Sequence, residues 1–177
     1  MNKRSTIISL LLLVFLGTAC KHEKSLQAYL VESSEKEGYM YGDLPVGLIL
    51  NPKEDASEEV KATAKSIQKI NAAFFKKTEN NEAAYQAEIA TLKTIFTQKK
   101  YKTLGSVKTK GMYMKFYYAG DAAQIDEVIT FGHSDEIGVG VARILGKNMN
   151  PASIMEMFGN IDINMNAIDF NQFKTIF

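Results

Sequence analysis

Residues 110–120 read KGMYMKFYYAG, and the period of this stretch decides the fold. Met112, Met114, Phe116 and Tyr118 fall on one side of an extended chain, and Tyr113, Lys115 and Tyr117 on the other. That is the period of two of a β-strand, not the 3.6 of a helix. Moving outward, AGDAA (119–123) is a turn, and QIDEVITFG (124–132) follows as a second strand. It brings Ile125, Ile129 and Phe131 to one face, interrupted by Glu127. HSD (133–135) is a second turn. EIGVGVARILG (136–146) then places Ile137, Val139 and Val141 on one face, with Gly138, Gly140 and Ala142 on the other. A face of such small residues suits a closely packed helix or a bend. The three runs predict an antiparallel meander. YKTLGSV (101–107) adds a short strand before it.

Upstream, the period changes. Tyr85, Ile89, Leu92 and Phe96 recur at helical spacing, which predicts a helix from Asn80 or Asn81 to about Lys100. Its last turn and the QKKYK run (98–102) carry cations, as the helix dipole favours, so the run reads as a solvated helix end. In KINAAFFKK (69–77), Ile70, Ala72 and Phe74 alternate as a strand. Before it, Asp55-x-x-Glu58 resembles a capping box, and Val60, Ala64 and Ile67 form one face of a helix to about Gln68. The strand–helix–strand unit from Ile70 to Tyr118 implies a crossover connection. GYMYGDLPVGLILNP (38–52) is apolar, but Pro45 argues against a central strand, so it reads as an irregular cover of the core.

Asp162, Asn164 and Asn166 near the C-terminus begin like a calcium loop. Such a loop needs Gly at its sixth position and Glu at its twelfth, where this chain has Ala167 and Phe173. The stretch reads better as helix entries: Ser153-x-x-Glu156 and Asp169-x-x-Gln172 are two capping boxes in succession. They predict two short amphipathic helices with Ile154, Met157, Phe158, Phe170, Phe173 and Ile176 turned to the sheet. The expected fold is therefore α+β, a mostly antiparallel sheet of four to five strands with helices on one face and two short C-terminal helices.

The N-terminus speaks of location. Lys3 and Arg4 precede an apolar run, Ile7–Leu16, and then Gly17, Thr18 and Ala19. This is an export signal, shorter than the roughly 20 residues a spanning helix needs. Cys20, the chain's single cysteine, follows at once and cannot form an internal disulfide. LGTAC resembles the lipobox of bacterial lipoproteins, in which the cysteine takes a lipid and becomes the first mature residue. Gly17 stands where that box usually has Leu. Ordinary signal cleavage at the same bond, leaving a free thiol, is the alternative. The expected division is a signal peptide over 1–19, a lipidated Cys20 with tether and short helix over 20–36 (Leu26, Tyr29 and Leu30 on one face), and one domain over 37–177. The partner so implied is a membrane, at the cell envelope, with the outer membrane facing the periplasm or the surface as the expected place.

The composition excludes some classes. Without Lys3 and Arg4 the chain has 21 − 2 = 19 basic and 20 acidic residues, a net −1, which offers no basic face for nucleic acid. A triad hydrolase needs a histidine base, and the two histidines are His22, near the anchor, and His133, in a tight turn beside Ser134 and Asp135. No spacing of ligands suggests zinc, and no glycine-rich loop suggests a phosphate cofactor. Met112-x-Met114 and Met155-x-Met157 could present thioethers to Cu(I), but strand packing accounts for the first pair. No catalytic residue, metal or cofactor is expected.

TAC (18–20), AKSIQKINAAFF (64–75), MYMKFYYAG (112–120), IDEVITFG (125–132) and GVARILGKNMNPASIMEMF (140–158), in this order, resemble the domain of unknown function 4252 family of small bacterial lipoproteins. The resemblance implies an anchored envelope protein with one α+β domain. It brings no reaction, ligand or catalytic residue. Two functions remain in view: a binding module for a protein partner or an apolar ligand, with its patch at Tyr113, Tyr117 and the 39–50 segment, and a hydrolase built on carboxylates.

Overall fold

The computed structural model describes residues 23–50, 52–109, 111–122 and 125–160. Cys20, His22 and the segments expected to form the leader (1–19) and the second C-terminal helix (within 161–177) lie outside them. In chain order the elements are α1 (Leu26–Glu35), β1 (Tyr39–Leu44), the single turn α2 (Val46–Ile49), α3 (Glu58–Ser66), β2 (Ile67–Lys76), α4 (Glu82–Ile95), β3 (Tyr101–Thr109), β4 (Met112–Ala119), β5 (Ile125–Ser134), β6 (Gly138–Met149) and α5 (Pro151–Asn160). The strands form one sheet in the order β1-β2-β6-β5-β4-β3, antiparallel throughout.

The meander is β4-β5-β6, as the alternation predicts, and β3 pairs with β4 to extend it. The sheet has six strands rather than four to five, because residues 39–44 form β1. β1 is an edge strand, and Pro45 lies just past its end, where no ladder donor is needed. β2 and β3 run in the same sense but have three strands between them, with α4 carrying the chain across.

Helices cover both faces, not one. Every strand has apolar residues of both parities, so each face has a core. On the first, Ala73, Phe75, Tyr117, Ile129, Phe131, Val139 and Val141 meet α1 and α4 through Tyr29, Leu30, Tyr85, Ile89 and Leu92. On the second, Ile70, Met114, Phe116, Val128 and Ile144 meet α3 and α5 through Val60, Ala64, Ile154, Met157 and Phe158. Ile125 joins this second face because the β5–β6 register shifts between Ile125 and Glu127.

Two caps differ from the sequence pattern. Ser57, not Asp55, caps α3: its Oγ accepts the Val60 N–H at 3.2 Å, since Asp55 lies in the preceding turn. Asn150, not Ser153, caps α5: its Oδ1 accepts the N–H groups of Ala152 and Ser153, and Pro151 takes the first helical position. Ser153 is buried instead. α3 passes into β2 with no loop, ending at Ser66 instead of Gln68, and α4 ends at Ile95, short of Lys100.

Candidate functional site

The second face is not fully covered. α3 and α5 sit over the half of the sheet near Ile67, Ile125 and Met149. Towards the other end, where Ser134 pairs with Gly138, a shallow apolar groove of about 160 Å³ remains. Its floor is Thr130, Gly132, Gly140 and Ala142 on β5 and β6. Phe74 and Met40 form one wall, Met112 and Met114 the other, and Leu50 and Phe158 close its inner end.

The glycines make the floor. A Cβ at Gly140 would stand 2.9 Å from the Phe74 ring and 3.0 Å from the Ala73 carbonyl; one at Gly132 would stand 3.3 Å from Met114. The walls therefore lie down over bare backbone. The small-residue face of Gly138, Gly140 and Ala142 was legible in the sequence as a place for a close helix. No helix among the described residues fills it. Polar groups are few: Ser134 is buried at the outer end, and the Thr130 hydroxyl is buried with no hydrogen-bond partner among the described residues.

The expected patch is only partly assembled. Met40, Tyr41, Gly42, Leu44 and Leu50, from the 39–50 segment, do line the groove. Tyr117 is not exposed; it is buried on the first face and stacked on Phe96 at 4.4 Å between centroids. Tyr113 is half-buried against His133. Both residues share the face that the alternation gives them, but α4 covers that face. Met112 and Met114 stand in the groove wall, whereas Met157 is buried and Met155 packs over Gly105.

His133 is in β5 and not in a turn, which begins at Asp135. Neighbouring residues of a strand point to opposite faces, so the His133 ring joins Phe131 and Tyr113 on the first face while Ser134 turns to the second. Asp135 accepts a hydrogen bond from Tyr85 at 3.2 Å, and burial pushes the Tyr85 hydroxyl up to about 12. The three do not converge on a point. Burial, then the Lys93 charge, holds the His133 imidazole below its ordinary range, against the opposite pull of Asp135. A depressed histidine makes the unfolded chain bind protons more readily than the folded one, so stability is full above about 6.5 and falls as pH drops through that window. His133→Gln should flatten the fall in urea midpoint between neutral pH and pH 5; an unchanged slope would assign it to other groups.

Among the described residues no three His, Cys, Asp or Glu side chains gather as metal ligands would. Among the described residues the most enclosed carboxylate is Glu88 on α4, near Tyr29, Tyr39 and Lys36, whose Nζ lies 3.7 Å from its Oε1. Burial raises the hydroxyls of both tyrosines, which bond each other at 3.1 Å. Glu32 shares Lys36 with Glu88, at 4.0 Å, from an exposed position on α1. Glu127 is held by Arg143 through two bonds of 2.8 and 3.0 Å, which raises the Arg143 guanidinium.

No helix among the described residues is long and apolar enough to cross a membrane. No curated protein and no solved structure matches the chain. A family model does match, over residues 39–157, from the edge strand β1 through the whole sheet and most of α5, and its description is "Domain of unknown function (DUF4252)". That is well over half of the 177 residues, and the chain belongs to the DUF4252 family.

Proposed function

We propose that this protein is a lipid-anchored binding module of the cell envelope, held to a membrane through Cys20, whose groove seats an apolar segment of a partner protein. The observation that carries the binding role is the groove itself: an open concavity with an almost wholly apolar lining. Its position favours a protein over bilayer lipid as occupant. The described chain starts at the Tyr101–Ala119 end of the sheet, where Gln98 Nε2 donates to the Lys24 carbonyl at 2.8 Å. Met112 stands at the other end of β4, about 20 Å away at roughly 3.3 Å per residue. An anchor at Cys20 thus leaves the groove turned outward. A hydrolase built on carboxylates is the weaker reading, since no Asp or Glu lines the groove.

Two measurements test this. Mass spectrometry of the mature protein should find Cys20 as the first residue and carrying lipid; an unmodified Cys20 would remove the anchor. A photo-crosslinking residue at Met112 should trap a protein in cells, and the adduct should vanish in the Ala72→Arg background, which puts a charge into the groove. The same residue at Val31, which is exposed on α1 over the first face, is the control. Adducts that survive Ala72→Arg, or that form equally from Val31, would sink the groove as the site. An adduct of phospholipid mass would replace the protein partner by a lipid.

A further inference from the structure

We propose that the end of the domain beside the tether is a bilayer-facing surface that binds anionic phospholipid headgroups through Lys99, Lys100 and Lys102. This rests on the anchoring at Cys20 for its orientation, and is independent of what the groove holds. The first observation is proximity. Cys20 is four residues before Lys24, at most about 14 Å of fully extended chain. The Gln98–Lys24 bond fixes the start of the domain against the loop that carries Lys99 and Lys100. A lipid on Cys20 would therefore keep this loop within reach of the headgroups.

The second observation is how the charges are disposed. Five described lysines pair with carboxylates: Lys24 with Glu32, Lys36 with Glu32 and Glu88, Lys61 with Glu58, Lys69 with Asp43, Lys77 with Glu82. Lys99, Lys100 and Lys102 are exposed, and none is given to an acidic side chain among the described residues. Two of them lie over tyrosines, Lys100 at 5.0 Å from the Tyr101 centroid and Lys102 at 5.6 Å from Tyr118. An aromatic body with an ammonium at its edge is the pairing that suits a membrane–water interface. The described acidic residues at this end are Glu23, Asp121, Asp126 and Glu127, of which Asp121 is itself engaged. Glu127 is neutralised by Arg143, and Asp126 accepts the Asn148 N–H at 3.0 Å. The QKKYK run is not a helix end: it lies beyond α4 and leads into β3.

Each lysine near an anionic surface strengthens partitioning about fivefold, so three together give roughly a hundredfold. The unlipidated Cys20→Ser variant should float with vesicles that contain phosphatidylglycerol and not with phosphatidylcholine alone. The further triple change Lys99→Gln, Lys100→Gln and Lys102→Gln should reduce this about a hundredfold. Lys76→Gln with Lys108→Gln, at the far end, should leave it unchanged. Equal flotation of the two lysine variants would overturn the surface, as would saturable competition by inorganic phosphate at matched ionic strength, which would make this a site for the free ion. An unmodified Cys20 would instead be seen by mass spectrometry, so failure of the anchor and failure of this surface remain distinguishable.

Discussion

Gly138→Ala should destabilise the protein by about 3 kcal/mol or more and lower the melting temperature by roughly 10 °C for a chain of this size. Gly138 opens β6 with φ at +144°, a backbone region essentially confined to glycine. Space is lacking as well. A Cβ there would stand 2.2 Å from the Phe75 carbonyl oxygen and 2.9 Å from the Lys77 nitrogen. Both atoms belong to the backbone at the end of β2, which pairs with β6 through Lys76 and Gly138. A flexible side chain could turn away, but a paired strand cannot. The end of the β2–β6 ladder would have to open, and the Phe74 wall of the groove with it. Gly47→Ala is the control, because a Cβ at Gly47 meets nothing within 4 Å. Thermal melts by circular dichroism of the two variants decide it, and a Gly138→Ala midpoint within a degree or two of the parent would refute the constraint.

That glycine also shows where sequence and fold part company. The small face of Gly138, Gly140 and Ala142 could be read from the period of two alone. What lies above it could not, because alternation reports which residues share a face and not which helix reaches them. The same gap explains Tyr117. Its parity was legible, yet tyrosine is equally at home under a helix and at a wet surface, so burial depended on where α4 crosses the sheet. β1 is hidden in the sequence for a different reason. Gly42, Asp43 and Pro45 are poor strand residues in a sheet centre, but β1 has a partner on one side only, and its pairing with β2 is long-range information. The caps lie two or three residues from the pattern's positions, since Asp55, Ser57, Asn150 and Ser153 are all good capping types and only the local backbone chooses among them. His133 looked like a turn residue from its polar neighbours, whereas the β4–β5 pairing carries the strand through Ser134.

Phe116→Ala should cost about 3–5 kcal/mol, as truncation of a fully buried phenylalanine does. Phe116 is 0% exposed, in the middle of β4 on the second face. Its ring packs on Phe158 of α5 at 4.7 Å between centroids, tilted by 36°. It thereby joins the sheet to the helix that closes the inner end of the groove. The neighbours decide where in the range the cost falls. Met114, Met149 and Met157 belong to the same core, and an unbranched thioether can move into part of the space a ring leaves. Partial filling would bring the loss towards 3 kcal/mol. The β-branched neighbours Val128, Ile144 and Ile154 are stiff and would leave their share of the cavity open. Tyr113→Ala, on the same strand but half-buried on the opposite face, should cost about 1 kcal/mol, because a partly wet ring loses less on removal. Urea unfolding of both variants measures the difference. If the two losses were equal, the second face would not be the closed core that Phe116 and Phe158 define, and the inner wall of the groove would lose its support. If Phe116→Ala alone is severe, hydrogen exchange should also show faster opening of α5 than of α4, since Phe158 loses its partner while Tyr85 and Leu92 keep theirs on the other side of the sheet.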